Sequence, residues 1–192
     1  MEEVLIENGN VLLFKNNDII IKKLNIFIKN GKIEKLFSDN EKNKVYEEYN
    51  INASEEENID TLKNIHIIDA IDKVVMPGLI NVHAHIPMSI FRETTEGCKL
   101  YDWLSKKIWP VEDKLTEEDV YYASMLSYIE MISTGTTCVN DHYFISNAIR
   151  KAAEDAKVRT VLTRVLMDSD GEDGLKQRAE EFEKLYETRD KE

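Results

Sequence analysis

The sequence predicts an α/β protein, with an antiparallel β module at its amino-terminal end and then strands and helices in alternation. Three observations support this. Asn30-Gly31 stands between Ile28-Lys29 and Lys32-Ile33, the pattern of a tight hairpin. From residue 65 onward, short apolar runs alternate with segments of helical spacing. Finally, a pair of histidines, His83-Ala84-His85, closes one of those apolar runs.

Composition narrows the class. The 192 residues include 37 acidic and 25 basic side chains, a formal charge of −12. Nucleic-acid binding is not expected, because a surface that tracks phosphates is usually basic. No run approaches the roughly 18 apolar residues of a membrane helix, so no membrane partner is expected. Met1-Glu2-Glu3 is acidic where a secretory signal is basic. Cys98 and Cys138 are the two cysteines and form no Cys-x-x-Cys pair, so a reducing cytoplasm is the expected compartment.

The elements follow in order. Val4-Leu5-Ile6 and Val11-Leu12-Leu13-Phe14 read as two short strands separated by Asn8-Gly9-Asn10. Leu24, Ile26 and Ile28 alternate with Asn25, Phe27 and Lys29, as a strand requires. Asn30-Gly31 then favours a type I′ turn, in which both central residues take positive φ. Residues 38–64 are rich in Asn, Glu, Lys and Ser and are expected to form a mobile loop or a poorly ordered insertion, with no chemistry assigned. Ile65 to Ile68 reads as a short strand, and His66 on it as structural. Val74 to Val82 reads as a turn at Pro77-Gly78 feeding an apolar strand. Thr116-Glu117-Glu118-Asp119 is a capping box opening a helix to about Ser133, with Gly135 as the residue beyond its end. Its apolar residues are Val120, Ala123, Met125, Leu126, Ile129 and Met131. Thr136 to Asn140 is a buried strand, Ile145 to Ala156 a helix and Arg159 to Met167 a strand. Leu175 to Thr188 is a helix with Leu175, Ala179, Phe182, Leu185 and Tyr186 near helical spacing. Strands alternating with helices imply a parallel sheet with right-handed crossovers.

The chemistry concentrates at His83-Ala84-His85. Histidines two residues apart on a strand project from the same face. They stand at the end of an apolar strand, where parallel α/β proteins carry their sites, and Pro87 stops the strand just after them. Neutral imidazole is a good ligand for zinc, iron or nickel, so the pair can hold a metal. Two neighbouring histidines also occur without a ligand role, and spacing by itself leaves both readings open.

The stretch Val75-Met76-Pro77-Gly78-Leu79-Ile80-Asn81-Val82-His83-Ala84-His85 resembles the first barrel strand of the amidohydrolase superfamily. The Asn-Gly hairpin and Ile68-Asp69-Ala70 resemble the small β-sandwich that precedes the barrel in its cytosine-deaminase-like branch. Pro87-Met88, Arg92, Trp109-Pro110-Val111-Glu112-Asp113, Glu130-Met131, Asp141-His142-Tyr143-Phe144 and Leu162-Thr163-Arg164 narrow the likeness to the 5′-methylthioadenosine/S-adenosylhomocysteine deaminases. Guanine deaminases and chlorohydrolases of the same branch share several of these residues. The likeness spans nearly all of the chain outside 38–64.

The resemblance implies a metal-dependent hydrolase with a (β/α)8 TIM barrel preceded by a β-sandwich: residues 1–73 for the sandwich part and 74–192 for the first part of the barrel. It implies His83 and His85 as ligands of one divalent metal, zinc or else iron. In the family, that metal lowers the pKa of water, and the hydroxide displaces the 6-amino group of adenine as ammonia. Glu112 matches a carboxylate that accepts hydrogen bonds from ribose hydroxyls, and Arg164 matches a basic residue lining the substrate pocket. The expected partner is thus a small nucleoside substrate. Lys176 and Arg178 lie nearest to an arginine that the family places early in its third helix, and His142 is an unusual residue at its position; neither departure receives a role. Residues 74–192 have room for about three of eight β/α units at roughly 30 residues each. The family's later metal ligands and its acid/base glutamate are therefore expected to lie outside this chain. The chain is expected to be a truncated product, a crystallised fragment or a partial gene, inactive by itself, with an open sheet edge that promotes self-association, so a homo-oligomer is another expected partner state. A guanine deaminase, a chlorohydrolase or a non-catalytic fragment are the competing readings.

Overall fold

The computed structural model of the chain describes residues 3–51, 65–94, 97–166 and 171–187. Residues 52–64 of the polar stretch, Met167 and Thr188 lie outside the described residues. The chain divides into two compact units, Met1–Pro77 and Gly78–Glu192.

The first unit is built on a five-stranded sheet: β1 (Glu3–Lys15), β2 (Asp18–Lys29), β3 (Lys32–Phe37), β4 (Ile65–Asp69) and β5 (Val74–Val75). The order is β3-β2-β1-β4, with β5 also on β1. β2 is antiparallel to β1 and β3, whereas β4 and β5 are parallel to β1. The β2–β3 turn is the expected one: Asn30 and Gly31 take φ of 55° and 74°. A second hairpin, at Asn16-Asn17, joins β1 to β2 with φ of 53° and 66°.

The two strands expected at Val4-Leu5-Ile6 and Val11-Leu12-Leu13-Phe14 are one strand, β1, interrupted by a bulge. Its register shifts between Ile6 and Gly9, and Asn8 sits at φ 62°. The side chain of the fully buried Asn25 accepts the Asn8 N–H at 2.8 Å, so the break in the ladder does not orphan that donor. Gly9 is required here because a Cβ would lie 2.6 Å from Val75 Cγ2 on β5.

The polar stretch after β3 also departs from expectation. Over residues 38–51 it is ordered: a 3₁₀ turn, Asp39–Glu41, leads into helix α1, Lys42–Tyr49, which ends at Asn50 in the left-handed region. The Glu41 carboxylate accepts from Ser38 N–H at 2.9 Å, closing the amino-terminal turn. Composition concealed this helix because four residues do its packing. Val45 and Ile51 are buried against Leu5, Phe27 and Phe37, with Tyr46 and Tyr49 partly buried around them.

The second unit holds a parallel three-stranded sheet in the order β6-β7-β8: β6 (Leu79–Ala84), β7 (Thr136–Tyr143) and β8 (Arg159–Arg164). Val74–Val75 does not continue into β6, as the sequence suggested, but pairs with β1. The β6–β7 crossover contains a 3₁₀ segment (Ile86–Phe91), short α-helices α2 (Leu100–Trp103) and α3 (Trp109–Glu112) flanking a π-helical turn (Leu104–Ile108), and the long helix α4 (Glu117–Ser133). Helix α5 (Ser146–Ala156) joins β7 to β8, and α6 (Gly171–Glu187) follows β8.

Thr116 and Asp119 form the expected capping box at the start of α4, and Gly135, at φ 88°, follows its end. The buried face of α4 differs from the expected set. Val120, Ala123, Ser124, Ser127 and Tyr128 are buried, while Leu126 and Ile129 are exposed. Small Ala and Ser side chains let the helix approach closely, and Tyr128 fills the remaining space beside Val120, Val139, Ile149 and Ala152.

At Gly78 a Cβ would lie 2.2 Å from Thr137 Oγ1 on the neighbouring strand. Gly78→Ala is therefore expected to destabilise the chain by about 1–3 kcal/mol. Chemical denaturation checks this; an unchanged midpoint would show that β6 and β7 are not packed this closely.

Candidate metal and substrate site

His83 is the penultimate residue of β6, and His85 follows the strand end. Ala84, between them, is buried with Val139 and Tyr143 against α4 and α5, so the two histidines fall on the opposite, exposed side. Their ring centroids are 5.1 Å apart and nearly perpendicular. Three polar contacts fix the local backbone. Asn81 Oδ1 accepts the His83 N–H at 3.2 Å, Asp141 Oδ1 accepts the Ile86 N–H at 2.7 Å, and the Ser127 hydroxyl donates to the Ile86 carbonyl at 2.8 Å. Ser89 adds a hydroxyl bond to the Ala123 carbonyl at 2.8 Å. The 3₁₀ segment after the histidines is thereby tied to α4.

The ring of His85 is oriented too. Its Nδ1 lies 2.6 Å from the His142 carbonyl oxygen. A carbonyl only accepts, so Nδ1 carries the proton and Nε2 keeps its lone pair. His142 contributes this carbonyl, and its own ring lies 5.7 Å from that of His85. Desolvation, then the charges that His85 and His83 acquire on protonation, hold the His142 pKa below its usual range. Burial pushes the Asp141 carboxyl up to about 6, opposed by its Ile86 hydrogen bond and by His85.

A cavity of about 220 Å³ lies beside the pair, lined in part by His83, His85, Arg92 and Glu130. On its wall Arg92 and Glu130 form a two-pronged ion pair, one arm at 2.6 Å, in which each partner favours the charged form of the other. Among the described residues, no three His, Cys, Asp or Glu side chains converge on a metal position. His83 and His85 suit two corners of such a site by donor chemistry: two imidazoles on one side of the chain, one with its tautomer set for Nε2 ligation.

Neither of the other expected site residues lines this cavity. Glu112 is the last residue of α3, and its Oε1 accepts from the Tyr143 hydroxyl at 2.6 Å. Arg164 ends β8, is largely buried, and pairs with Glu181 on α6. Its guanidinium lies 5.8 Å from the centre of the Phe144 ring, and that of Arg178 lies 4.9 Å from the same ring. Of the two basic residues on α6 that the sequence left undecided, Arg178 is thus the one beside Arg164, while Lys176 is exposed. The sequence reading gave no role to Tyr143, Ser127 or the Arg92–Glu130 pair. Strand periodicity carries the signal for Tyr143: Val139, Asp141 and Tyr143 alternate on the buried face of β7.

Residues 74–192 match the Amidohydrolase family. The chain belongs to that family. A 5-methylthioadenosine/S-adenosylhomocysteine deaminase of Thermoanaerobacter pseudethanolicus is 45% identical over 127 residues, covering 66% of this chain and 30% of the relative. A 5′-deoxyadenosine deaminase of Methanocaldococcus jannaschii is 39% identical over 158 residues, covering 82% of this chain and 33% of the relative. Among solved structures, an adenosine deaminase from Xanthomonas campestris with bound zinc superposes with a TM-score of 0.75 at 24% identity, over 97% of this chain and 40% of that one. The second unit thus has the amidohydrolase fold expected from the His-x-His strand, and the chain spans about a third of the length of these curated relatives. No helix among the described residues is long and apolar enough to cross a membrane.

The His85 tautomer is directly testable. In nitrogen-detected NMR spectra, Nδ1 is expected to be the protonated nitrogen, and added zinc should shift Nε2. Zinc-induced loss of the Nδ1 proton would contradict the geometry.

Proposed function

We propose that the whole protein is a metal-dependent hydrolytic deaminase of 5′-substituted adenine nucleosides, converting 5′-methylthioadenosine or S-adenosylhomocysteine to the inosyl derivative with release of ammonia. The observation that carries this reading is the His83–His85 pair, with rings 5.1 Å apart and His85 held by the His142 carbonyl. His83 and His85 would hold the divalent ion, with zinc favoured because neutral imidazole suits it and a solved relative contains it. A metal bound there supplies a water of lowered pKa for attack on the amino-bearing carbon of the base.

The chain's own residues do the remaining work by binding and orientation. Glu112 accepts the two ribose hydroxyls: a carboxylate has about four lone-pair sites, and the bond from Tyr143 uses one. Arg164 and Arg178, flanking Phe144, face the far end of the substrate, where guanidinium groups suit the carboxylate of S-adenosylhomocysteine. In this reading the first unit belongs to the sandwich and the second to the first part of a (β/α)8 barrel, with Val74–Val75, expected on the barrel side of a boundary at 73/74, on the sandwich side. Cys98 and Cys138 are not joined in a disulfide, which suits a reducing cytoplasm.

Two experiments test this. In the whole protein, His83→Ala or His85→Ala is expected to abolish metal retention, read by elemental analysis, together with ammonia release from 5′-methylthioadenosine; a fully metallated, active variant would overturn the ligand assignment. Glu112→Ala is expected to weaken turnover of nucleosides far more than of free adenine. Equal losses on both would remove the ribose role, and turnover of guanine without that of S-adenosylhomocysteine would move the protein to another activity of the family.

A further inference from the structure

Tyr143 is 4% exposed and ends β7. Its neighbours in sequence are His142, whose carbonyl orients His85, and Phe144, whose ring lies beside Arg164 and Arg178. Its hydroxyl donates to Glu112, 31 residues back in the β6–β7 crossover, at 2.6 Å. That carboxylate stands at the carboxyl end of a helical run over residues 100–112, whose middle, Leu104–Ile108, is π-helical, and a side chain at a helix end keeps its rotamer freedom unless a partner holds it. The tyrosine, in contrast, is part of the packed core formed by Val139, Ile149 and Ala152.

We infer that Tyr143 is a positioning residue: its hydroxyl fixes Glu112 so that the remaining lone pairs of the carboxylate meet a vicinal diol. The inference rests on the diol role given to Glu112 above and adds the group that makes the role geometrically specific. The physical case is one of pre-organisation. An unrestrained carboxylate at a helix end loses conformational freedom when it binds a diol, whereas one already hydrogen-bonded to a rigid partner loses less. A donor is also what this position supplies, because burial, the Glu112 bond and the charges of Glu112 and Asp141 all keep the Tyr143 hydroxyl protonated. The dipeptide His142-Tyr143 thus serves both halves of the site: its backbone carbonyl sets the tautomer of a metal-ligating imidazole, and its phenol sets the direction of the diol-binding carboxylate.

The test uses the whole metal-loaded protein and two substrates: 5′-deoxyadenosine and an analogue lacking both ribose hydroxyls. Tyr143→Phe keeps the ring and its packing and removes only the donor. It is expected to raise KM for the diol substrate about tenfold, the loss of one hydrogen bond to a charged group. The value of kcat should stay within about twofold, and the analogue should be handled as by the unaltered protein. Metal content and thermal midpoint serve as controls. If Glu112→Ala loses the preference for the diol substrate and Tyr143→Phe keeps it in full, the Tyr143 assignment fails and the Glu112 role stands. If Glu112→Ala itself keeps the preference, both fall. A uniform loss on both substrates in Tyr143→Phe would make Tyr143 a purely structural residue and overturn the inference.

Discussion

The site depends on the coupling between the ends of β6 and β7. At the end of β6 the backbone leaves the sheet, and its polar groups lose their ladder partners. Asp141 on β7 partners one of them, and His142 orients a side chain. The Asp141 carboxyl takes the Ile86 N–H at 2.7 Å, and the His142 carbonyl takes the His85 ring N–H at 2.6 Å. The first bond fixes where the chain turns after the histidines, and the second fixes how one of them points. Both lie at the carboxyl end of a parallel sheet, where strand ends expose unpaired groups that can be turned to recognition.

Burying Asp141 has an electrostatic cost, seen in a carboxyl pushed up to about 6. Proteins retain such a group when its hydrogen bonds specify one geometry over others. Here the Ser127 hydroxyl on α4 donates to the carbonyl of the same residue, so both backbone polar groups of Ile86 are committed. Helix α4 therefore has two tasks. Val120 and Tyr128 fill the core, and Ser127 and Glu130 anchor the segment that carries the histidines out of the strand. Leu126 and Ile129 contribute to neither, which accounts for their exposure within this unit.

The same economy shows at the end of β7. His142, Tyr143 and Phe144 face three neighbourhoods in turn: His85, Glu112, and the Arg164–Arg178 pair. Residues that in sequence are spread from 83 to 178 are gathered around one strand terminus. Parallel β/α architecture makes this natural, because every crossover returns its loop to the same edge of the sheet.

Much of this was legible in the sequence. The Asn30-Gly31 turn, the Thr116–Asp119 cap, the β/α alternation from β6 onward and the common side of His83 and His85 each follow from short-range stereochemistry, and the structure shows each of them; Ile65–Asp69, read as the first strand of that alternation, instead pairs with β1 in the first sheet. The family match at 74–192 extends the same local signal. What escaped the sequence depends on partners far along the chain. The bulge that merges two runs into β1 exists because Asn25 is there to accept from Asn8. Helix α1 exists because Val45 and Ile51 find Leu5, Phe27 and Phe37. The His85 tautomer and the Tyr143–Glu112 bond exist because folding brings together groups 57 and 31 residues apart. Periodicity and turn chemistry are properties of a few consecutive residues, so the sequence determined them alone; hydrogen-bond partners and buried faces are properties of assembled elements, so only the tertiary structure could decide them.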